Sequence, residues 1–387
     1  MLTLLTNGEV YAPRPLGRRS VLLADSKIAK VGEVDPRKVE ALGVDHEVVD
    51  VSGCLVVPGF IDPHQHLLGG SGEEGFSSQT PEFFVTEIIR YGITTVVGLL
   101  GADTTMKTLA GLLARVKALK EHGLNAYMWT GGYNVPPNSM LESVREDIMY
   151  IEEVIGAGEI AISDLRAMDP DPRELAKIAS DCYIGGKLAR KAGLTHFHVG
   201  EADTRLAPLR ELLEDYRVEP EWLYATHVQR TKKLLGEAVT LAKKGMAVDM
   251  DTVEEDLLKW LPLYLEAGGP PEKLTVSSDA GTNSPRVLYE QVCRCILNGR
   301  FPVEQVIALV TENTARILNL EHKGTLEKGK MGDVVVMRRD SLEIVHVLSR
   351  GVFVVRDGEP VVEEKFLESS QREIHLVGKK AEGNGDG

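Results

Sequence analysis

Residues 194–230 read LTHFHVGEADTRLAPLRELLEDYRVEPEWLYATHVQR. Two short apolar runs, THFHVG and LYATHV, flank PLRELLEDY, whose leucines fall at helical spacing. This reads as strand, helix, strand. A strand that returns through a helix lies parallel to the one before it. Each strand here also ends on a histidine, His198 in the first and His227 in the second.

The same alternation extends in both directions. Strand-like runs recur at LVVPGFID, TTVVGLL, NAYMWTGG, EIAISD, MAVDMDT and LTVSSDA. Helical patterns follow them, among them TLAGLLARVKALKEHG, LESVREDIMYIEEVIG and KLLGEAVTLAKKG, each closing at or near a glycine. Eight such pairs over residues 57–324 predict a (β/α)8 barrel, a TIM-like α/β fold. Residues 1–56 and 325–387 read instead as short strands, with NG and DS marking tight turns. The two ends are expected to pair into one small β-sandwich, trailed by a disordered polar tail, KKAEGNGDG.

Composition narrows the partners. A net charge of −14 argues against a nucleic-acid or anionic-membrane partner, which would favour a basic face. No run approaches the length of a membrane span. The N-terminus lacks the charged start of a signal peptide, so a cytoplasmic protein is expected. Cys54, Cys182, Cys293 and Cys295 show no disulfide spacing and are read as reduced thiols.

In a (β/α)8 barrel the chemistry sits at the C-terminal ends of the strands. The first strand ends PHQH, placing His64 and His66 on one face of an extended chain. Two imidazoles so placed can converge on one ion, although alone they are equally a solvated pair. His198, His227 and Asp279 add ligand-type side chains at the ends of strands five, six and eight. Four strand ends bearing such residues point to a metal centre. His196 shares a face with His198 but lies deeper, and is read as a core or supporting histidine.

PGFIDPHQH after an N-terminal β segment, followed by these His and Asp residues, resembles the amidohydrolase superfamily. GTLEKGKMGDVVVM resembles the segment by which many members complete their β-sandwich. HLLGGSGEEG, VVGLLG, TGGYNVP, AISDLRA, HFHVGE, THVQR and SSD, in that order, resemble the bacterial isoaspartyl dipeptidases. The resemblance implies hydrolysis of β-aspartyl dipeptides at a binuclear metal centre, with zinc as the metal and a homo-oligomer as the assembly. Its ligands would be His64, His66, Glu159, His198, His227 and Asp279. Asp279 would shuttle the proton and Tyr133 would polarise the carbonyl. Glu73, Arg166 and Arg230 would grip the substrate's ammonium and carboxylates, with Ser284, or else Thr282 or Asn283, contacting it from strand eight.

One position departs from the family pattern. Members usually bridge their metals with a carboxylated lysine on strand four, where IGAGEIAISD offers Glu159 in a segment one residue longer. A glutamate can bridge two cations about 3.5–4 Å apart, but its arm is shorter, so the backbone must approach more closely. Gly156 and Gly158 permit that approach. Two alternatives stay open: Glu159 is a solvated strand-start residue beside a single metal, or Asp164 is the ligand. Two other functions also stay open, an amidohydrolase of cyclic amides or N-acyl amino acids and a non-catalytic scaffold.

Overall fold

Eight parallel strands run in sequence order around a nearly closed barrel: β6 (Phe60–Gln65), β7 (Ile93–Gly98), β8 (Asn125–Thr130), β9 (Val154–Ile162), β10 (Leu194–Val199), β11 (Leu223–Thr226), β12 (Ala247–Asp251) and β13 (Leu274–Ser277). This computed structural model describes residues 1–70, 73–167, 169–253 and 256–371. The KKAEGNGDG tail lies outside the described residues, as does the end of the 325–387 segment.

Helices follow every barrel strand and bury their apolar faces against it. The helix Lys232–Lys244, capped by Thr231, buries Leu234, Leu235, Ala238, Val239, Leu241 and Ala242. These six buried leucine, valine and alanine side chains supply most of what holds the helix, at ~1.5–3 kcal/mol for each large one. The barrel closes where β13 returns beside β6. There Gln65 and Ala280 form a parallel bridge, the His66 amide donates to the Ala280 carbonyl, and the Asp279 amide donates to the His64 carbonyl. The residues that seal the barrel are thus neighbours of the expected ligands, or the ligands themselves.

The remaining strands, β1 (Leu2–Tyr11), β2 (Pro15–Ala24), β3 (Lys27–Gly32), β4 (His46–Asp50), β5 (Cys54–Pro58), β14 (Val334–Arg338), β15 (Ile344–Ser349), β16 (Val352–Arg356) and β17 (Glu359–Pro360), form a separate sheet. β5 pairs with both β1 and β14, joining the two ends of the chain. The sheet encloses its own core, including Leu5, Val21, Leu23, Val56, Val336 and Leu348. A buried ion pair, Lys323–Asp333 at 2.8 Å, ties it to the barrel, because Asp333 also accepts from Asn125 at the foot of β8.

Two local readings are corrected. Asn7–Gly8 is not a turn. β1 runs through it with a register shift, pairing β4 before the shift and β5 after it. Asn7 has φ 64°, and a Cβ at Gly8 would stand 2.4 Å from Val56 Cγ2, so the pair serves a bulge and a close approach. Likewise the helix read across LESVREDIMYIEEVIG stops at Tyr150, and β9 starts at Val154. The β-branched residues and glycines after Tyr150 favour extension over helix. The DS turn stands as read, between β2 and β3.

The four cysteines are free and buried. Among the described residues no helix is long and apolar enough to cross a membrane.

Candidate metal centre and substrate pocket

Glu159 reaches the middle of the barrel mouth through a bulge. Between the pairs Thr195↔Ala157 and Phe197↔Ile160, two residues of β9, Gly158 and Glu159, stand opposite one residue of β10, His196. A bulge of this kind re-aims a side chain. Gly158 is the hinge of it, since a Cβ there would lie 2.6 Å from His196 Cβ and 2.8 Å from its carbonyl oxygen. The bulge brings the Glu159 carboxylate toward the imidazoles.

The carboxylate so placed is surrounded by imidazoles. Glu159 Oε2 lies 3.2 Å from His198 Nδ1, 3.4 Å from His64 Nε2 and 3.6 Å from His227 Nε2, while Oε1 lies 3.7 Å from His66 Nε2. Asp279 Oδ1 stands 3.2 Å from both His64 Nε2 and His66 Nε2. Four overlapping groups of donor atoms are compatible with a metal ion, and two of them, His64–His66–Asp279 and Glu159–His198–His227, share no residue and together hold all six expected ligands. Asp164 is not in either group. Its oxygens face the Arg166 guanidinium and His198 Nε2.

Two features indicate that these groups fit cations. His64 Nε2 and His227 Nε2 are buried with no hydrogen-bond partner among the described residues, a costly state unless something else binds them. Their other nitrogens are committed. His227 Nδ1 donates to Asp251 Oδ2 at 2.7 Å. His196 Nδ1 donates to the Tyr224 carbonyl, so its Nε2 accepts from His64 Nδ1 at 2.9 Å. In the neutral rings these hydrogen bonds leave the Nε2 lone pair aimed into the cluster, where a cation can take the place of a proton.

The backbone carries strain at the same place. His227 has φ 63° and Asp279 φ 47°, left-handed conformations that cost about 1–3 kcal/mol each and cluster at functional sites. Below them, His196 is stacked between Trp129 and Tyr224, with centroids 5.0 and 4.5 Å away. These rings form the floor of the centre.

Electrostatics follow from this packing. Burial pushes the Glu159 carboxyl up, but His64 and His198 outweigh it and hold Glu159 well below its ordinary range. Burial and His64 oppose each other in the same way at Asp279, which also ends well below its ordinary range. Burial, reinforced by Glu159, holds the Tyr133 phenol protonated far above its usual range. With the Asp164 carboxylate accepting from His198 Nε2, the Nδ1 lone pair faces both Glu159 and the Tyr133 hydroxyl, and an ion taking that lone pair would free the hydroxyl to donate elsewhere.

Above the centre is a pocket of about 180 Å³. Tyr133, Glu73, Arg166 and Arg230 line it together with His66 and Asp279. Arg166 Nη1 donates to Glu73 Oε1 at 2.7 Å, and Arg230 Nη1 lies 3.8 Å from Glu201 Oε1. Thr282 and Asn283 also line the pocket. Ser284 is a correction: it is exposed, and its hydroxyl accepts from the Arg286 amide at the start of the next helix. A larger open groove of about 730 Å³ runs beside Leu109, Leu113 and Met140, and among the described residues no ligating cluster lines it.

Three supporting residues were missed in the sequence. Asp251 holds His227. Asp147, fully buried, accepts from Thr130, Met140 and Leu141 and so pins the loop that carries Tyr133. Lys107 donates to the Leu68 and Gly69 carbonyls on the segment leading to Glu73. Only Asp251 had a signal, an acid at the end of the seventh barrel strand.

Comparison with known proteins agrees with the architecture. Residues 55–361 match the sequence profile described as Amidohydrolase family. The crystal structure of a beta-aspartyl dipeptidase from the thermophilic, keratin-degrading Fervidobacterium islandicum AW-1 superimposes with a TM-score of 0.88 at 36% identity, covering 93% of this chain and 98% of that one. The same enzyme in complex with beta-Asp-Leu gives a TM-score of 0.86 at 34% identity over the same shares. An imidazolonepropionase from Serratia proteamaculans is 30% identical, covering 83% of this chain and 86% of the relative. An adenine deaminase from Halalkalibacterium halodurans is 23% identical over 93% of this chain, which spans 58% of that relative's length.

Proposed function

The chain belongs to the amidohydrolase family, and from that premise we propose that it hydrolyses the isopeptide bond of β-aspartyl dipeptides. The observation that carries the reading is the charge set around one pocket: Glu73, Arg166 and Arg230 beside Asp279 and Tyr133. A β-aspartyl dipeptide has one ammonium and two carboxylates, which that set complements. Adenine has no carboxylate for the two arginines, and an imidazolone propionate has only one and no ammonium. The likeness to the Fervidobacterium enzyme, solved with beta-Asp-Leu, supports the same reading.

His64, His66 and Asp279 would hold one divalent ion and His198 and His227 a second, with Glu159 between them. Such ions lower the pKa of the attacking water and polarise the amide carbonyl; zinc is proposed because imidazole-rich sites suit it. Asp279, ionised at neutral pH, takes the water's proton and delivers it to the leaving amine. Tyr133, held protonated, donates to the carbonyl oxygen as negative charge develops there. Arg166 and Arg230 bind the carboxylates, where a guanidinium offers paired donors. Glu73 leaves Arg166 Nη1 for the substrate ammonium, so one internal ion pair is exchanged for pairs to the ligand.

The test is a substrate panel on zinc-loaded protein: β-Asp-Leu, adenine and imidazolone propionate. Leucine release with no turnover of either heterocycle is expected. Turnover of adenine or the imidazolone with β-Asp-Leu left intact would refute the proposal.

A further inference from the structure

The candidate ligands differ in what stands behind them. His227 and His198 each turn one nitrogen toward Glu159 and the other toward a carboxylate, Asp251 Oδ2 at 2.7 Å and Asp164 Oδ2 at 2.9 Å. His64, in the other group, is backed by a neutral ring, His196, whose remaining nitrogen is fixed by the Tyr224 carbonyl. Asp164 is shared with Arg166. Asp251 instead faces His227 directly and comes within 4.8 Å of Asp279. It is buried at the end of β12, and besides His227 it accepts from Gln229 Nε2 at 2.7 Å and the Val253 amide at 3.0 Å. These donors lock its carboxylate against His227 on the side away from Glu159.

We propose that Asp251 is a positioning residue that strengthens metal binding in one half of the centre only, the half built on His198 and His227. It does so in two ways. Accepting the Nδ1 proton fixes the tautomer that leaves Nε2 as donor, and the buried negative charge makes that imidazole a stronger donor. Partners of this type typically contribute ~10–100-fold in metal affinity. His196 fixes the tautomer of His64 without adding charge, so the other half lacks the second contribution. The inference rests on the two-ion reading of the centre.

The experiment titrates the metal-depleted full chain with zinc by calorimetry, then measures the occupancy of each position by anomalous diffraction at limiting zinc. Asp251→Asn keeps an acceptor oxygen but removes the charge. It is expected to weaken one ion by ~10–100-fold, with the deficit at the His198–His227 position, while the other ion stays within about threefold. A purely structural role would weaken both positions or neither, and either result would overturn the inference. If Asp251→Asn does not fold, Gln229→Ala loosens the same carboxylate, and a smaller deficit at the same position is expected; equal occupancy of both positions would overturn it. A parent chain that binds a single ion would instead remove the two-ion reading beneath it.

Discussion

Replacing Glu159 by Gln preserves shape and removes one negative charge from the centre. Oε2 lies 3.2–3.6 Å from three imidazole nitrogens, and Oε1 lies 3.7 Å from a fourth, so the carboxylate faces both halves at once. Unit charges 4 Å apart attract by about 4 kcal/mol at an effective dielectric of about 20. That corresponds to nearly three decades of affinity at 1.4 kcal/mol per decade. An amide oxygen still offers one half a lone pair, so the expected loss is ~10²–10³-fold per ion. The assay is zinc content after equilibrium dialysis against buffered zinc, read beside kcat. Because a glutamate needs no carbon dioxide, the metal-depleted parent should also recover fully in bicarbonate-free buffer. Full zinc occupancy in Glu159→Gln, with metal loss in Asp164→Asn, would refute this and transfer the bridge to Asp164.

Gly158→Ala forces a Cβ to within 2.6 Å of His196, which has no room to withdraw between Trp129 and Tyr224. Denaturant unfolding should register a loss of ~1–3 kcal/mol and zinc content should fall with it; unchanged values would mean the bulge is not needed. Asp279→Asn should lower kcat on β-Asp-Leu by ~10²–10⁴, and a variant within tenfold of the parent would exclude the proton shuttle. In the metal-free protein, burial lowers the His64 and His227 pKa values, but Glu159 and Asp251 respectively outweigh it, raising them to about 9 and about 10. Groups raised above an unfolded value of about 6.5 stabilise fully below it and lose that contribution as pH climbs through the folded values. The Tm of metal-free protein should therefore fall between pH 7 and 10 and that of zinc-loaded protein should fall less, with parallel curves contradicting the assignment.

The barrel was legible because strand and helix periods alternate cleanly from residue 57 onward, and because strand ends are where barrels carry chemistry. His64, His66, His198, His227 and Asp279 declare themselves by residue type at those ends. Glu159 could be named but not placed, since its orientation depends on a one-residue bulge, which periodicity cannot locate. The end of the helix at Tyr150 was misread for a related reason: IEEVIG satisfies a helical apolar pattern, and only the strand beyond it decides the boundary. Asn7–Gly8 carries the chemistry of a turn and serves a bulge, two structures with the same demand for positive φ. Asp147 and Lys107 were illegible because their partners are backbone groups on loops, which leave no pattern in sequence. Ser284 could not be told from Thr282 and Asn283, because the loop after β13 has no period that says which of the three faces the pocket.

The central claim is that fixed charges align the β isomer's amide and not the α isomer's. β-Asp-Leu and α-Asp-Leu share composition and charge and differ in where the free amine and carboxylate sit relative to the scissile bond. Stranding a buried charge costs about 3–5 kcal/mol, but the Arg166 and Arg230 side chains are 37% and 26% exposed, so solvent returns part of that. At 1.36 kcal/mol per decade, about 2.7 kcal/mol remains as a ~100-fold difference in rate. The direct measurement is kcat/KM for the two isomers on zinc-loaded parent and on Arg230→Ala. The parent should favour the β isomer by at least ~100-fold, and Arg230→Ala should lose most of that preference. Equal kcat/KM for both isomers on the parent would contradict the account.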